Sequence, residues 1–252
     1  MLRICDIELS AKFGAWLGSL HNLREFTIVN NEVGLKVDSL SGISCPTVHK
    51  LTLDGIFDAL AQSVLLKMCP DLINYSILFL NACDFSDLPS TVRSIDMFSC
   101  SNPSFGSFHP NVTKLKFRFC YSTDDTFARI CTSCANLLEL DVQEYSQGSD
   151  TALRLIGDTY GPRLQVLTLR HNAYFTLNAM RYLCEKCKEL KSLSLLYFDH
   201  MSIVIALQNC QLVCTLDISN AKVTNELLMQ IATTAVDNLT MCHATGFTEK
   251  AL

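Results

Sequence analysis

Charge is scarce in this chain: 18% of residues are charged and 49% are hydrophobic, a rich apolar content for a soluble protein. Basic charge is scarcer still. Twenty Lys and Arg face 25 Asp and Glu, for a net charge of −5, which argues against a general nucleic-acid binder because phosphate contacts need a basic surface. Long apolar runs are absent too; none approaches the roughly 18 residues that cross a bilayer. The opening MLRICDIELSAKFG carries Asp6 and Glu8 where a signal peptide would need an unbroken apolar core. The expectation is a soluble, unsecreted chain, cytoplasmic or nuclear, that contacts neither membrane nor nucleic acid. Catalytic signatures are also missing: no G-x-S-x-G, no H-E-x-x-H, no G-x-x-x-x-G-K-[ST]. The six histidines are scattered, and none sits with a cysteine in a recognisable nucleophile setting. No enzyme, no catalytic residue and no cofactor is expected.

Cysteine, by contrast, is abundant. Thirteen is an odd number, so a fully paired intramolecular disulfide framework is impossible. In an unsecreted chain the thiols are expected to pack as small hydrophobes. Cys131-x-x-Cys134 and Cys184-x-x-Cys187 have the spacing of zinc knuckles. The pairs lie 53 residues apart, two full repeats, so packing is the expectation and no metal ligand is assigned. Three N-x-S/T triplets, at Asn74, Asn111 and Asn238, are expected to be unmodified without a signal peptide.

The organising stretch is Leu164 to Leu195. Apolar residues at Leu164, Leu167 and Leu169 are followed by Asn172, a polar start at Thr176 and a helical pattern through Ala179, Met180 and Leu183. At Leu190, Leu193 and Leu195 the pattern begins again. This L-x-x-L-x-L-x-x-N/C frame with a period near 26 is a leucine-rich repeat. Its triplet recurs at Ile4/Ile7/Leu9, Leu23/Phe26/Ile28, Val48/Leu51/Leu53, Leu72/Tyr75/Ile77, Val92/Ile95/Met97 and Val112/Leu115/Phe117. It continues at Leu137/Leu140/Val142, Leu164/Leu167/Leu169, Leu190/Leu193/Leu195, Val213/Leu216/Ile218 and Val236/Leu239/Met241. First members are 19, 25, 24, 20, 20, 25, 27, 26, 23 and 23 residues apart. Motif positions four and six must share a face of each strand, and that face is the core. The expected fold class is α/β: a right-handed leucine-rich repeat horseshoe of about eleven repeats forming one solenoid domain over residues 1–252, incomplete at both ends.

Helices are expected where a hydroxyl follows position nine by three or four residues, with apolar or small residues at its i+3 and i+4. Thr123, Ser149, Thr176, Ser202, Thr224 and Thr248 fit this pattern, and each could cap the first free amides of a helix. Between Leu72 and Val112 the repeats shorten to 20 residues, and the connections carry Pro, Ser and Gly. Turns or short helical pieces are expected there.

Cysteine stands three positions before the first apolar residue in Cys45–Val48, Cys69–Leu72, Cys134–Leu137, Cys187–Leu190 and Cys210–Val213. With hydroxyl-started helices this resembles the cysteine-containing repeat of F-box/LRR proteins, approximately C-x-x-L-x-x-L-x-L-x-x-C and then a T-D-x-x-L helix start, within the ribonuclease-inhibitor-like architecture. The resemblance runs over nearly the whole chain. It implies a substrate-binding part of an SCF-type ubiquitin-ligase receptor, in which an F-box docks an adaptor–cullin ligase while the repeats hold a protein substrate. No F-box is visible in these 252 residues, so ligase docking is expected only where an F-box lies outside them. A ligase-independent scaffold or inhibitor is the other reading.

The partner site is expected on the concave strand face, where adjacent rungs lie about 5 Å apart. One rung presents Lys114, Lys116, Arg118 and Phe119; the next presents Glu139, Asp141 and Glu144. Arg170 and His171 follow, then Leu196 and Tyr197. The pattern reads either as a polarised docking patch with aromatic anchors or as a cross-strand charge ladder that serves solubility.

Overall fold

A computed structural model describes the chain except residues 7–9, 31–36, 38–39, 80–82, 102, 104–108, 121–122, 144–148, 171–174 and 249–252. It falls into two compact units, Met1–Ser122 with Thr132–Cys134, and Thr123–Cys131 with Ala135–Leu252.

In unit 1 the strands after the first alternate buried residues with half-exposed or exposed ones, as a half-buried strand must. The strands are β1 (Leu2–Cys5), β2 (Glu25–Asn30), β3 (Lys50–Gly55), β4 (Asn74–Leu78), β5 (Ser94–Phe98) and β6 (Lys114–Arg118). They pair in parallel in chain order. Two columns form the core, Phe26–Leu51–Tyr75–Ile95–Leu115 and Ile28–Leu53–Ile77–Met97–Phe117. None of these ten side chains is more than 2% exposed, and each apart from Tyr75 contributes roughly 1.5–3 kcal/mol of burial. They are positions four and six of the motif, as expected. Return paths include α1 (Ala11–Gly18) and α2 (Ala59–Met68); among the described residues no helix links β4 to β5 or β5 to β6. The short 20-residue repeats lack room for one.

The first triplet needs correction. Leu2 pairs with Phe26 and Ile4 with Ile28, five residues earlier than Ile7 and Leu9, which lie outside the described residues. Leu2 to Phe26 spans 24 residues, a normal repeat. The expected register, at 19, left too little chain for the return path. The fourth triplet holds at Leu72, with Tyr75 and Ile77 facing inward.

Unit 2 contains β7 (Glu139–Gln143), β8 (Val166–Arg170), β9 (Ser192–Leu196), β10 (Thr215–Asp217) and β11 (Asn238–Thr240). Its helices are α3 (Asp124–Ser133, through Cys131), α4 (Asp150–Tyr160), α5 (Leu177–Lys186), α6 (His200–Asn209) and α7 (Asn225–Ile231). The core column is Leu140–Leu167–Leu193–Leu216–Leu239. Its first four members are at most 2% exposed and Leu239 is 38% exposed.

Ser149, Thr176 and Thr224 cap α4, α5 and α7 through hydroxyl acceptors. Thr123 accepts the Thr126 amide at the start of α3. Ser202 does not cap: Asp199 stands three residues before it and accepts both its amide and its hydroxyl. The helix begins at His200, so Ser202 lies inside its first turn and Asp199 holds the cap position, where a carboxylate also meets the positive helix end. Thr248 precedes residues outside the description. Ser10 and Asp58 cap α1 and α2.

At the starts of α3, α4, α6 and α7 the residue after the cap then reaches forward to the next rung. Asp124 accepts the amide and hydroxyl of Ser149. Asp150 accepts the amide (2.8 Å) and hydroxyl (2.6 Å) of Thr176. His200 lies 3.4 Å from the Thr224 hydroxyl, and Asn225 holds the amide and hydroxyl of Thr248. This is the physical content of the Thr-Asp helix start: the hydroxyl caps its own helix while the acid positions its neighbour's cap.

The cysteines have equally definite work. Cys69 and Cys210 end helices, and their carbonyls accept the amides of Leu72 and Val213, which accounts for the C-x-x-L spacing. His109 fills this slot before Val112. At position nine, Cys100 donates to the Ile77 carbonyl of the preceding rung, and Cys120 donates likewise to Met97.

Candidate functional site

The open face of each ladder is set by motif position eight, where the chain leaves its strand. Asp6, Gly55, Phe79, Ser99, Phe119, Tyr197, Asn220 and His243 all occupy this position, and all have positive φ, between 45° and 112°. Asn30 is the exception among the described rungs. The left-handed turn aims the amide at position seven of the next rung: Phe79 bonds the Phe98 carbonyl (2.8 Å), Ser99 bonds Arg118, Tyr197 bonds Ser219 and Asn220 bonds Cys242. Gly55 has a second constraint, because a Cβ there would stand 2.1 Å from the Asn30 carbonyl oxygen.

Gly, Asn and Asp enter the left-handed region cheaply, whereas a bulky residue there costs on the order of 1–2 kcal/mol. Phe79, Phe119 and Tyr197 nevertheless hold it, with 56%, 42% and 46% of their surface exposed. Burial does not explain them, since their rings face outward.

In unit 1 the rings join. Phe79 and Phe98 stand 5.4 Å apart edge to face, and Phe98 and Phe119 stand 5.2 Å apart, tilted. The small Ser99 occupies the middle rung's eighth position, and Phe98, at position seven, bridges the outer two rings. Arg118 closes one side: its Nη2 donates to both Asp96 oxygens (2.7 and 2.8 Å), and its guanidinium lies 5.7 Å from the Phe98 ring centre. The strands of unit 1 carry five basic residues and three acids. Each acid has a base: Glu25 with Lys50 (3.6 Å), Asp54 with Arg3 (3.9 Å) and Asp96 with Arg118. Lys116 sits opposite Asp96 in register, but Arg118 takes both carboxylate oxygens. Among the described residues Lys116 has no ion pair.

Of the expected patch residues, Lys114, Lys116, Arg118 and Phe119 therefore belong to unit 1, on β6 and its turn. Glu139 and Asp141 lie on β7 of unit 2, where Asp141 accepts a hydrogen bond from the Gln143 side-chain Nε2 (2.8 Å). Arg170, ending β8, lies 4.6 Å from the ring centre of Tyr197, which follows Leu196 at the end of β9. Glu144 and His171 lie outside the described residues. Phe79, Phe98 and Asp96 were not among the expected residues. The available signal was positional, since Phe79 falls on the same repeat position as Phe119 and Tyr197.

The thiols form a different environment. Ten of the thirteen cysteines are buried. Burial pushes Cys69 and Cys187 up to about 12. Hydrogen bonding to Cys100, then burial, drives Cys83 and Cys120 far above the ordinary thiol range. Such groups stay protonated and are poor nucleophiles and ligands. Among the described residues no three His, Cys, Asp or Glu side chains are grouped to hold a metal, and no helix is long and apolar enough to cross a membrane.

No family model and no curated protein matches the chain. Among solved structures, a chain in the crystal structure of the Rad7 and Elc1 complex in yeast aligns over 100% of this chain and 78% of its own length, with TM-score 0.59 and 16% identity. The leucine-rich repeat-containing protein LegL7 from Legionella pneumophila aligns over 93% and 98%, with TM-score 0.48 and 13% identity. The similarity to the yeast chain is one of fold, and that fold is an α/β leucine-rich repeat solenoid.

Proposed function

We propose that this chain recognises a protein through the open face of its strands, as the substrate-binding part of an F-box/LRR-type ubiquitin-ligase receptor of the ribonuclease-inhibitor-like kind. The supporting observation is the use of Phe79, Phe119 and Tyr197 at left-handed positions with half-exposed rings. Such a site invests stability in presenting aromatic groups, and outlying backbone conformations concentrate at functional sites. Aromatic and arginine side chains are also the commonest binding hot spots. The cysteine-marked repeat supports the ligase assignment, and the fold likeness to a chain crystallised in the Rad7 and Elc1 complex supports protein recognition. In this reading the chain binds its partner without transforming it, and does so in the cytoplasm or nucleus.

The test is affinity capture of the endogenous protein with intact-mass measurement. Adaptor and cullin recovered with it, attached through an F-box, support the ligase reading. A protein partner recovered without them makes the chain a ligase-independent scaffold or inhibitor.

A further inference from the structure

The open face of unit 1 has chemistry specific enough to say more about what it binds. This step rests on the protein-recognition reading above. We infer that the Phe79–Phe98–Phe119 stack with Lys116 is a docking site for an extended peptide segment of a partner protein, one that carries an aromatic or leucine side chain next to a carboxylate.

Three observations carry it. First, the rings form one surface, with centroids 5.4 and 5.2 Å apart, so a single apolar side chain can touch more than one ring. Second, the surface is held before anything binds. The Phe79 and Ser99 amides are tied to the next rung, and Arg118 is fixed by two bonds to Asp96. Rigid aromatic anchors lose little conformational freedom on binding, which raises affinity. Third, charge complementarity selects the occupant. Glu25, Asp54 and Asp96 each already have a base, while Lys116, in register with Asp96 two residues before the Phe98 pairing, has no ion pair among the described residues. An acidic group on the partner would supply its counter-charge and steer the encounter. Bases of single-stranded nucleic acid could also stack on phenylalanine, but the net charge of −5 opposes a polyphosphate chain.

The chosen substitutions separate binding from folding. Asparagine accepts the left-handed conformation that Phe79 and Phe119 hold under strain. Phe79→Asn and Phe119→Asn should therefore leave thermal stability equal or higher, whereas removal of a side chain with only a structural role would lower it. The probe is a displayed library of random dodecapeptides selected against the full 252-residue chain, with enriched peptides then measured by calorimetry. Enrichment of aromatic or leucine residues adjacent to Asp or Glu is expected. Each Phe→Asn variant should bind at least about tenfold more weakly, and Lys116→Glu should weaken binding and reverse the preference toward basic peptides. Peptides that bind all three variants as tightly as the parent overturn this site while leaving protein recognition standing. Tight binding of a fluorescent poly-dT oligonucleotide that competes with the peptides also overturns it. If no peptide is recovered, the site is overturned, and failure of the capture experiment as well overturns the protein-recognition reading.

Discussion

Asp150 offers the most direct test of how the rungs of unit 2 are joined. It sits at the start of α4 and accepts two hydrogen bonds from Thr176, the cap of α5, at 2.8 and 2.6 Å. Asp150→Ala removes both, together with a carboxylate at a positive helix end. A hydrogen bond to a charged group contributes about 1.5–3 kcal/mol, and a charge at a helix terminus about 0.3–1 kcal/mol. These bonds are solvent-exposed, so competition from water brings the expected total loss to about 2 kcal/mol. In thermal unfolding that is a fall of roughly 4–8 °C in Tm. The protein supplies its own control, because Asn225 does the same work for Thr248 through an amide. Asp150→Asn should therefore cost under about 1 kcal/mol. A double-mutant cycle of Asp150→Ala with Thr176→Val, followed by urea unfolding, should give a coupling of about 1–2 kcal/mol. Additive losses, or an Asn variant as damaged as the Ala variant, would refute the forward-capping argument.

Three further outcomes follow from the same structure. Gly55→Ala places a Cβ 2.1 Å from the Asn30 carbonyl at φ +112°, so the urea midpoint should report a loss of about 3 kcal/mol or more; an unchanged midpoint would contradict the packing there. Iodoacetamide should modify at most Cys5, Cys214 and Cys242 in the native protein and all thirteen cysteines in denaturant, counted by intact mass, because the other ten are buried. Burial lowers the pKa of His109, with a weaker opposing effect from its hydrogen bond to the Phe85 backbone. The neutral imidazole is thus the folded form, and its contribution is present above the unfolded pKa of about 6.5 and lost as pH falls through the folded value. Urea midpoints at pH 7.5 and 5.5 should differ more for the parent than for His109→Gln, and equal differences would show that His109 contributes nothing to the change.

Most of the fold was legible because the period does two jobs at once, placing core side chains and leaving a fixed length for the return path. That second constraint also marked the one register error: Ile7 and Leu9 fit the apolar pattern, but their 19-residue spacing left too little chain. At Asp199 the helix-start rule failed because an equally good cap stands three residues ahead of Ser202 and the helix starts there. The site was only half legible. Arg118 and Phe119 can be placed on the open face from their motif positions, but the acids of the following repeat are the conspicuous charges in sequence, whereas the acid that holds Arg118 is Asp96 on the preceding rung. The left-handed turn at position eight was invisible, since Phe and Tyr favour extended backbone and nothing in their identity announces such a conformation.

That turn has a consequence for how such a surface can change. The conformation at position eight goes with a hydrogen bond from its backbone N–H to a carbonyl of the next rung, made alike by phenylalanine, serine, tyrosine and asparagine. The outward side chain is thus uncoupled from the bonds that hold the repeat together, except at Gly55, where a carbonyl blocks any substituent. Binding preference can drift at these turns one residue at a time while the ladder behind them keeps its register. A lineage, or a designer, could exchange one partner for another at these positions without rebuilding the core.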